Sequence, residues 1–407
     1  MLFMIASVPA FAQQEDEAYH YQRNSIYPIF IKHPQYAYNK EIEYVLGKNP
    51  MPERFNDHAL KVRNVVFSSK DKDLKDEIDD FIQQNQLARR VVSKWFNHTK
   101  STGFDMELIK ERGFYNATAA DWDIAARNAI GNAMLEDAGE NLIGNTFVIF
   151  HDIRYIDRST AWNTVKEIAI MATAVASSIV LKNNDVGSMM LDSDLGGKGL
   201  DWLYGSVTDK IKGFAVNITS YLYRLSWNED IANEFYAKYY TADPQKDQSR
   251  IAAYNADNKL FKLEYVGMVQ SKSSKTVMSG VKTNEQLIRK VCTRAVDKNL
   301  AELQHEFGPF RIKAPLVSTT PLCAHVGMKE DLTADSRFEV LEPQLDKDGR
   351  TTYKKVGVIR PVDGKIWDNR YGADEEDTPE SKLHATEFEK VSGSDFYPGM
   401  LIREIEK

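Results

Sequence analysis

The sequence predicts an α+β protein: a central α/β domain with an inserted apolar helical segment, followed by a small C-terminal β domain. Three observations predict it. Up to about residue 312, helix-period segments alternate with apolar runs of strand length. Residues 161–213 interrupt that alternation with an uncharged, Ala- and Ser-rich stretch. After Ile312 the texture changes to short strands separated by glycine-containing turns. The implied organisation is 1–12 as the remnant of a signal peptide and 13–60 as an extended N-terminal arm. The central domain then spans 61–312, with 161–213 as its helical insertion, and the β domain spans 313–407.

The chain opens with the apolar run Leu2–Val8 and then Ala10-Phe11-Ala12, small residues where a signal peptidase cuts, so Gln13 would begin the mature chain. Residues 13–60 are polar and Tyr-rich and carry Pro28, Pro34, Pro50 and Pro52, which reads as an extended arm. Val65-Val66-Phe67 is a short strand candidate. One helix is predicted over Asp71–Phe96, where Ile78, Phe81, Ile82, Leu87, Val91, Val92 and Trp95 recur at helical spacing. A second runs from Ala119 to Ala138, with N-cap candidates at Asn116-Ala117-Thr118 and Gly139 as its stop. Thr146-Phe147-Val148-Ile149-Phe150 is a buried strand.

Ile168–Leu181 carries no charge. As a helix its length is about 21 Å, short of the ~30 Å hydrocarbon core. It reads as a buried or contact helix, so no membrane span is expected beyond the signal. Phe214–Trp227 is a strand whose apolar parity shifts between Ile218 and Tyr221, as at a bulge. Asn228 caps a short helix to Tyr240, Phe261–Tyr265 alternates as a strand, and Asn284–Phe307 is an amphipathic helix stopped by Gly308-Pro309. In the last domain Arg337–Leu341 and Thr352–Ile359 flank Asp348-Gly349, a hairpin signal.

Composition narrows the function classes. Of 407 residues 43% are apolar and 27% charged, enough for a large core. The 52 Lys+Arg against 59 Asp+Glu give a net charge of −7, which argues against a broad nucleic-acid surface. The basic and aromatic stretch Arg89-Arg90…Lys94-Trp95 follows a helical period that assigns Trp95 to the core. Cys292 and Cys323 are too few for a disulfide scaffold or a four-cysteine zinc site, and either one disulfide or two free thiols is compatible with them.

No phosphate loop, dinucleotide fingerprint, H-E-x-x-H or G-x-S-x-G is present, so no cofactor is implied. Asp192-x-Asp194-x-Gly196 and Asp346-x-Asp348-Gly349 lack the later Glu of a calcium loop, so no metal is expected. Asp374-Glu375-Glu376-Asp377 reads as a solvated loop. Asn97-His98-Thr99, Asn116-Ala117-Thr118 and Asn217-Ile218-Thr219 fit the glycosylation pattern. The candidate catalytic residues are His151 and Asp152, which follow the buried strand where α/β sheets place functional groups. The competing reading is a solvent-side His beside a turn carboxylate that caps or pairs with Arg154, because neighbours on a strand point to opposite faces.

Several segments together carry a resemblance: Ala88-Arg89-Arg90…Lys94-Trp95-Phe96-Asn97, Glu111–Ala117, Leu142–Val148, Ile366-Trp367-Asp368-Asn369-Arg370-Tyr371 and Phe396-Tyr397-Pro398-Gly399-Met400. After about residue 60 the chain resembles an uncharacterised family of exported proteins from Bacteroides-type bacteria, from which no catalytic residue transfers. The helix near Asn284–Phe307 leads into a β module containing Gly327-Met328-Lys329-Glu330 and Arg337-Phe338-Glu339-Val340. That layout is similar to envelope assembly proteins of the curli-secretion and flagellar-basal-body type. The resemblance implies a periplasmic or outer-membrane-peripheral, non-enzymatic protein that contacts another envelope protein or the membrane surface. The alternative is a secreted hydrolase with a site near His151 and Asp152.

Overall fold

The computed structural model describes residues 24–48, 55–57, 64–67, 73–99, 102–116, 139–140, 142–157, 211–243, 245–278, 283–345, 351–374 and 378–405. In chain order the elements are β1 (Asn24–Ile31), α1 (Asn39–Lys48), β2 (Phe55–Asp57), β3 (Asn64–Val65), α2 (Leu74–Gln84), α3 (Leu87–Trp95), α4 (Met106–Asn116) and β4 (Thr146–Asp157). There follow β5 (Ile211–Leu225), α5 (Glu229–Lys238), α6 (Gln248–Ala256), β6 (Leu263–Met278) and α7 (Asn284–Glu306). The last are β7 (Lys313–Thr319), β8 (Leu322–Ala324), β9 (Phe338–Leu345), β10 (Thr351–Pro361), β11 (Thr386–Gly393) and β12 (Leu401–Glu404). The protein is α+β, with a C-terminal β domain.

The first sheet has the order β2-β1-β4-β5-β6, and β3 also pairs with β1. β1 runs parallel to β2, β3 and β4, whereas β5 and β6 continue antiparallel. This corrects the extended arm expected over 13–60, because Asn24–Ile31 is an interior strand and Asn39–Lys48 a helix. Pro28 misleads, since proline usually marks a strand edge. Here β2 pairs with Asn24–Ile26 and β3 with Phe30–Ile31, and Pro28 falls in the interval between, where among the described residues no outer partner requires an N–H.

Apolar side chains leave both faces of this sheet. On one face Tyr27, Ile29, Val148, Phe150, Tyr221 and Tyr223 pack against Ile78 and Ile82 of α2, Leu87, Val91 and Trp95 of α3, and the aromatic set Phe96, Phe104, Phe235 and Tyr254. Trp95 Nε1 donates to Thr146 Oγ1 at 2.9 Å, and that hydroxyl donates to Leu142 O at 3.1 Å, which ties α3 to the start of β4. On the other face α7 lays Leu287, Ile288, Val291, Cys292 and Ala295 on Phe30, Ile153, Phe214, Val216 and Ile218. Further along it lays Leu300 and Leu303 on Ile26, Phe147, Ile149 and Leu222. Thr283 and Gln286 form a reciprocal capping box that starts α7.

The helix predicted over Asp71–Phe96 is two helices. Gln86 takes a left-handed φ of 48°, and the break lets α2 and α3 each aim their apolar stripe at the sheet. The parity shift expected between Ile218 and Tyr221 is also absent, because β4 and β5 stay in register from Phe147 to Asp157. The irregularity lies between Leu222 and Tyr223 on the β6 side. A strand buried on both faces need not alternate, so parity carried no information there. Asn228 caps α5 by accepting from Ile231 N at 3.0 Å. The predicted strand at Val65-Val66-Phe67 ends at Val65, and Val66 is exposed. The predicted signal at 1–12, the helix over 119–138, the Asp192/Asp194 and Asp346/Asp348 loops and Glu375–Asp377 lie outside the described residues, as does the insertion predicted over 161–213 except for its last three residues, which open β5 instead.

The C-terminal strands close into an antiparallel barrel of order β10-β11-β8-β7-β12-β9. Its interior is filled by Leu316, Ala324, Val326, Phe338, Val340, Ile359, Phe388 and Ile402. The barrel meets α7 through polar contacts. Lys290 Nζ donates to Gly372 O at 3.0 Å, Lys329 Nζ lies 3.3 Å from Asp297 Oδ1, and His305 Nδ1 lies 3.0 Å from Glu404 Oε2. Both cysteines are free thiols, Cys292 buried on α7 and Cys323 partly exposed on β8.

Candidate functional site around Asp152

Strand β4 outruns its parallel neighbour. β1 stops at Ile31, opposite Asp152, whereas β4 continues to Asp157. The chain leaving β1 turns over this overhang and is held by Asn39, whose Nδ2 donates to His33 O at 2.7 Å and to Tyr36 O at 2.8 Å. Tyr36 packs on Tyr155 with ring centroids 4.6 Å apart, and Tyr155 Oη accepts from Tyr38 N at 3.0 Å. The turn thereby delivers His33 to Asp152.

Asp152 is the centre of the cluster. Its Oδ1 lies 2.5 Å from His33 Nε2, and its Oδ2 accepts from Arg154 Nε at 2.9 Å. Burial alone would raise its carboxyl pKa. The His33 hydrogen bond and the Arg154 charge outweigh that and hold it below the usual carboxylate range. Asp152 is thus a buried anion that orients two nitrogen-bearing side chains.

His151 points to the other face of the sheet. Its Nδ1 lies 2.6 Å from Ser220 Oγ, and burial pushes the imidazole down from 6.5 to about 4. It is therefore neutral at neutral pH. The two candidates His151 and Asp152 are both 4% exposed, and the sheet separates them rather than bringing them together. His151 is not solvent-side, and Asp152 lies within a strand rather than a turn. The pairing of Asp152 with Arg154 is present. His33 escaped sequence reading because the arm assignment hid the strand that precedes it.

No family model and no curated protein matches the chain. Among the described residues, no group of three His, Cys, Asp or Glu is placed to hold a metal ion, and no helix is long and apolar enough to cross a membrane. Asn217, the third glycosylation candidate, is buried within β5 and closed to modification in this fold. Asn97 is exposed, and Asn116 closes α4.

Proposed function

We propose that the protein is a non-enzymatic, exported cell-envelope protein that works by binding another protein, and that it does so through the outer edge of β6. The observation that carries this reading is the contrast among strand edges. β6 has 16 residues and, among the described residues, pairs only with β5. The opposite side of the sheet carries the short β2 and β3, and the barrel is closed. A long edge offers a row of backbone N–H and C=O groups to an added strand. The exposed Lys272 lies on it, the kind of charge that discourages indiscriminate self-pairing and favours an acidic partner strand. The apolar run ending in Ala10-Phe11-Ala12 and the resemblance to an exported family support the location.

A photo-reactive side chain placed at Glu264, which is exposed on β6, tests this in intact envelopes, with Lys354 on the barrel as control. The expected result is a discrete protein adduct from position 264 and none from 354. Equal labelling from both, or none from either, would overturn the reading.

A further inference from the structure

On the face of the sheet opposite α7, side-chain character changes abruptly along the strands. The row Ile29, Phe150, Tyr221, Met268 is apolar. One step on, the row is Ile31, Asp152, Thr219, Gln270, and the next is Arg154, Asn217, Lys272. His33 joins these two rows through its bond to Asp152. At the same level the other face carries one polar pair, His151 and Ser220, bonded to each other, and is otherwise apolar, with Ile153, Phe214, Val216 and Ile218 under α7. The first face carries six polar side chains in these two rows, a polar shelf beyond what the core requires.

We propose that this shelf is a binding site for a small hydroxylated oxyanion, such as a sugar phosphate or a hydroxy acid. Its charge fits: within these rows Arg154 and Lys272 outnumber the one carboxylate, Asp152. Asp152 holds Arg154 by Nε alone, and among the described residues nothing takes the two terminal guanidinium nitrogens. An Arg anchored in this way presents a fixed pair of donors to a phosphate or carboxylate. The hydroxyl requirement comes from Asn217, which is 5% exposed yet leaves Oδ1 without a hydrogen-bond partner in the register position beside Arg154. A buried acceptor of this kind calls for a donor, and a ligand hydroxyl supplies one. Thr219 and Gln270, joined at 3.2 Å, add further polar groups in the adjoining row. The shelf is open enough to load, since the side chains of His33 and Arg154 are 17% and 18% exposed and Lys272 is exposed. It also lies at the carboxyl ends of the parallel strands β1 and β4, where α/β sheets bind ligands.

Calorimetric titration of the full chain with glycerol 3-phosphate, glycerate and glycerol tests the proposal without any partner protein. At least one of the two anions should bind saturably and glycerol should not, and the tighter anion identifies the headgroup. Arg154→Gln should weaken that binding by about tenfold or more, equivalent to ~1.4 kcal/mol. Should that variant fail to fold, Lys272→Gln decides the matter: it should keep the parent melting temperature and bind several-fold more weakly. Absence of binding by both anions, or parent-like affinity in the folded variants, would overturn the site.

Discussion

His151 and Asp152 are neighbours on one strand and equally buried, yet the fold treats them in opposite ways. His151 meets one hydroxyl on the α7 side, so burial dominates and the ring stays neutral. Asp152 meets His33 and Arg154 on the other side, so the charged form wins in spite of burial. The lesson is that depth does not set the ionisation of a side chain. The groups that the rest of the fold brings to its face do.

That contrast can be broken at either residue. Removing the carboxylate should have the largest effect: Asp152→Ala strands Arg154 and His33, and chemical denaturation should register a loss of about 3–5 kcal/mol. Acid should sharpen the difference next. The His151 pKa is about 4 in the fold against 6.5 ordinarily, so between those values the unfolded chain binds a proton that the folded chain refuses. Its contribution is intact above about pH 6.5 and falls as pH drops toward 4, by about 3 kcal/mol in all. The Asp152 contribution follows only below its ordinary 3.8, as the carboxylate is protonated. Melting curves across pH should therefore show two acid-sensitive ranges, and His151→Gln should shrink the upper one, to which the buried His98 also contributes, while sparing the lower. The smallest effect is expected for Ser220→Ala, which removes the imidazole's partner and should cost about 1–2 kcal/mol in the same assay.

The sequence carried the architecture better than the site. The amphipathic run of α7, the apolar start of β4, the Asn228 cap and the change to short strands after Ile312 all announce themselves through local periodicity or capping chemistry. β1 does not, because a proline sits in its middle and only the staggered partners β2 and β3 make that harmless. The break at Gln86 is equally silent, since an apolar stripe continues across it and the left-handed residue is not a glycine. Asp152 could be singled out as a polar residue after an apolar run. Its partnership with His33 spans 119 residues and depends on the hidden strand, so no pattern within either segment could reveal it.

The barrel is completed by a strand of four residues. β12 lies between β7 and β9, and its Leu401, Ile402 and Glu404 are buried. During synthesis the other five strands therefore emerge before the stave that joins them. Until Leu401–Glu404 arrives, β7 and β9 each present an open flank, and a nascent chain stalled just short of that point would be sticky at two seams. A change that removes these four residues therefore leaves the other five strands written and the last wall unsealed.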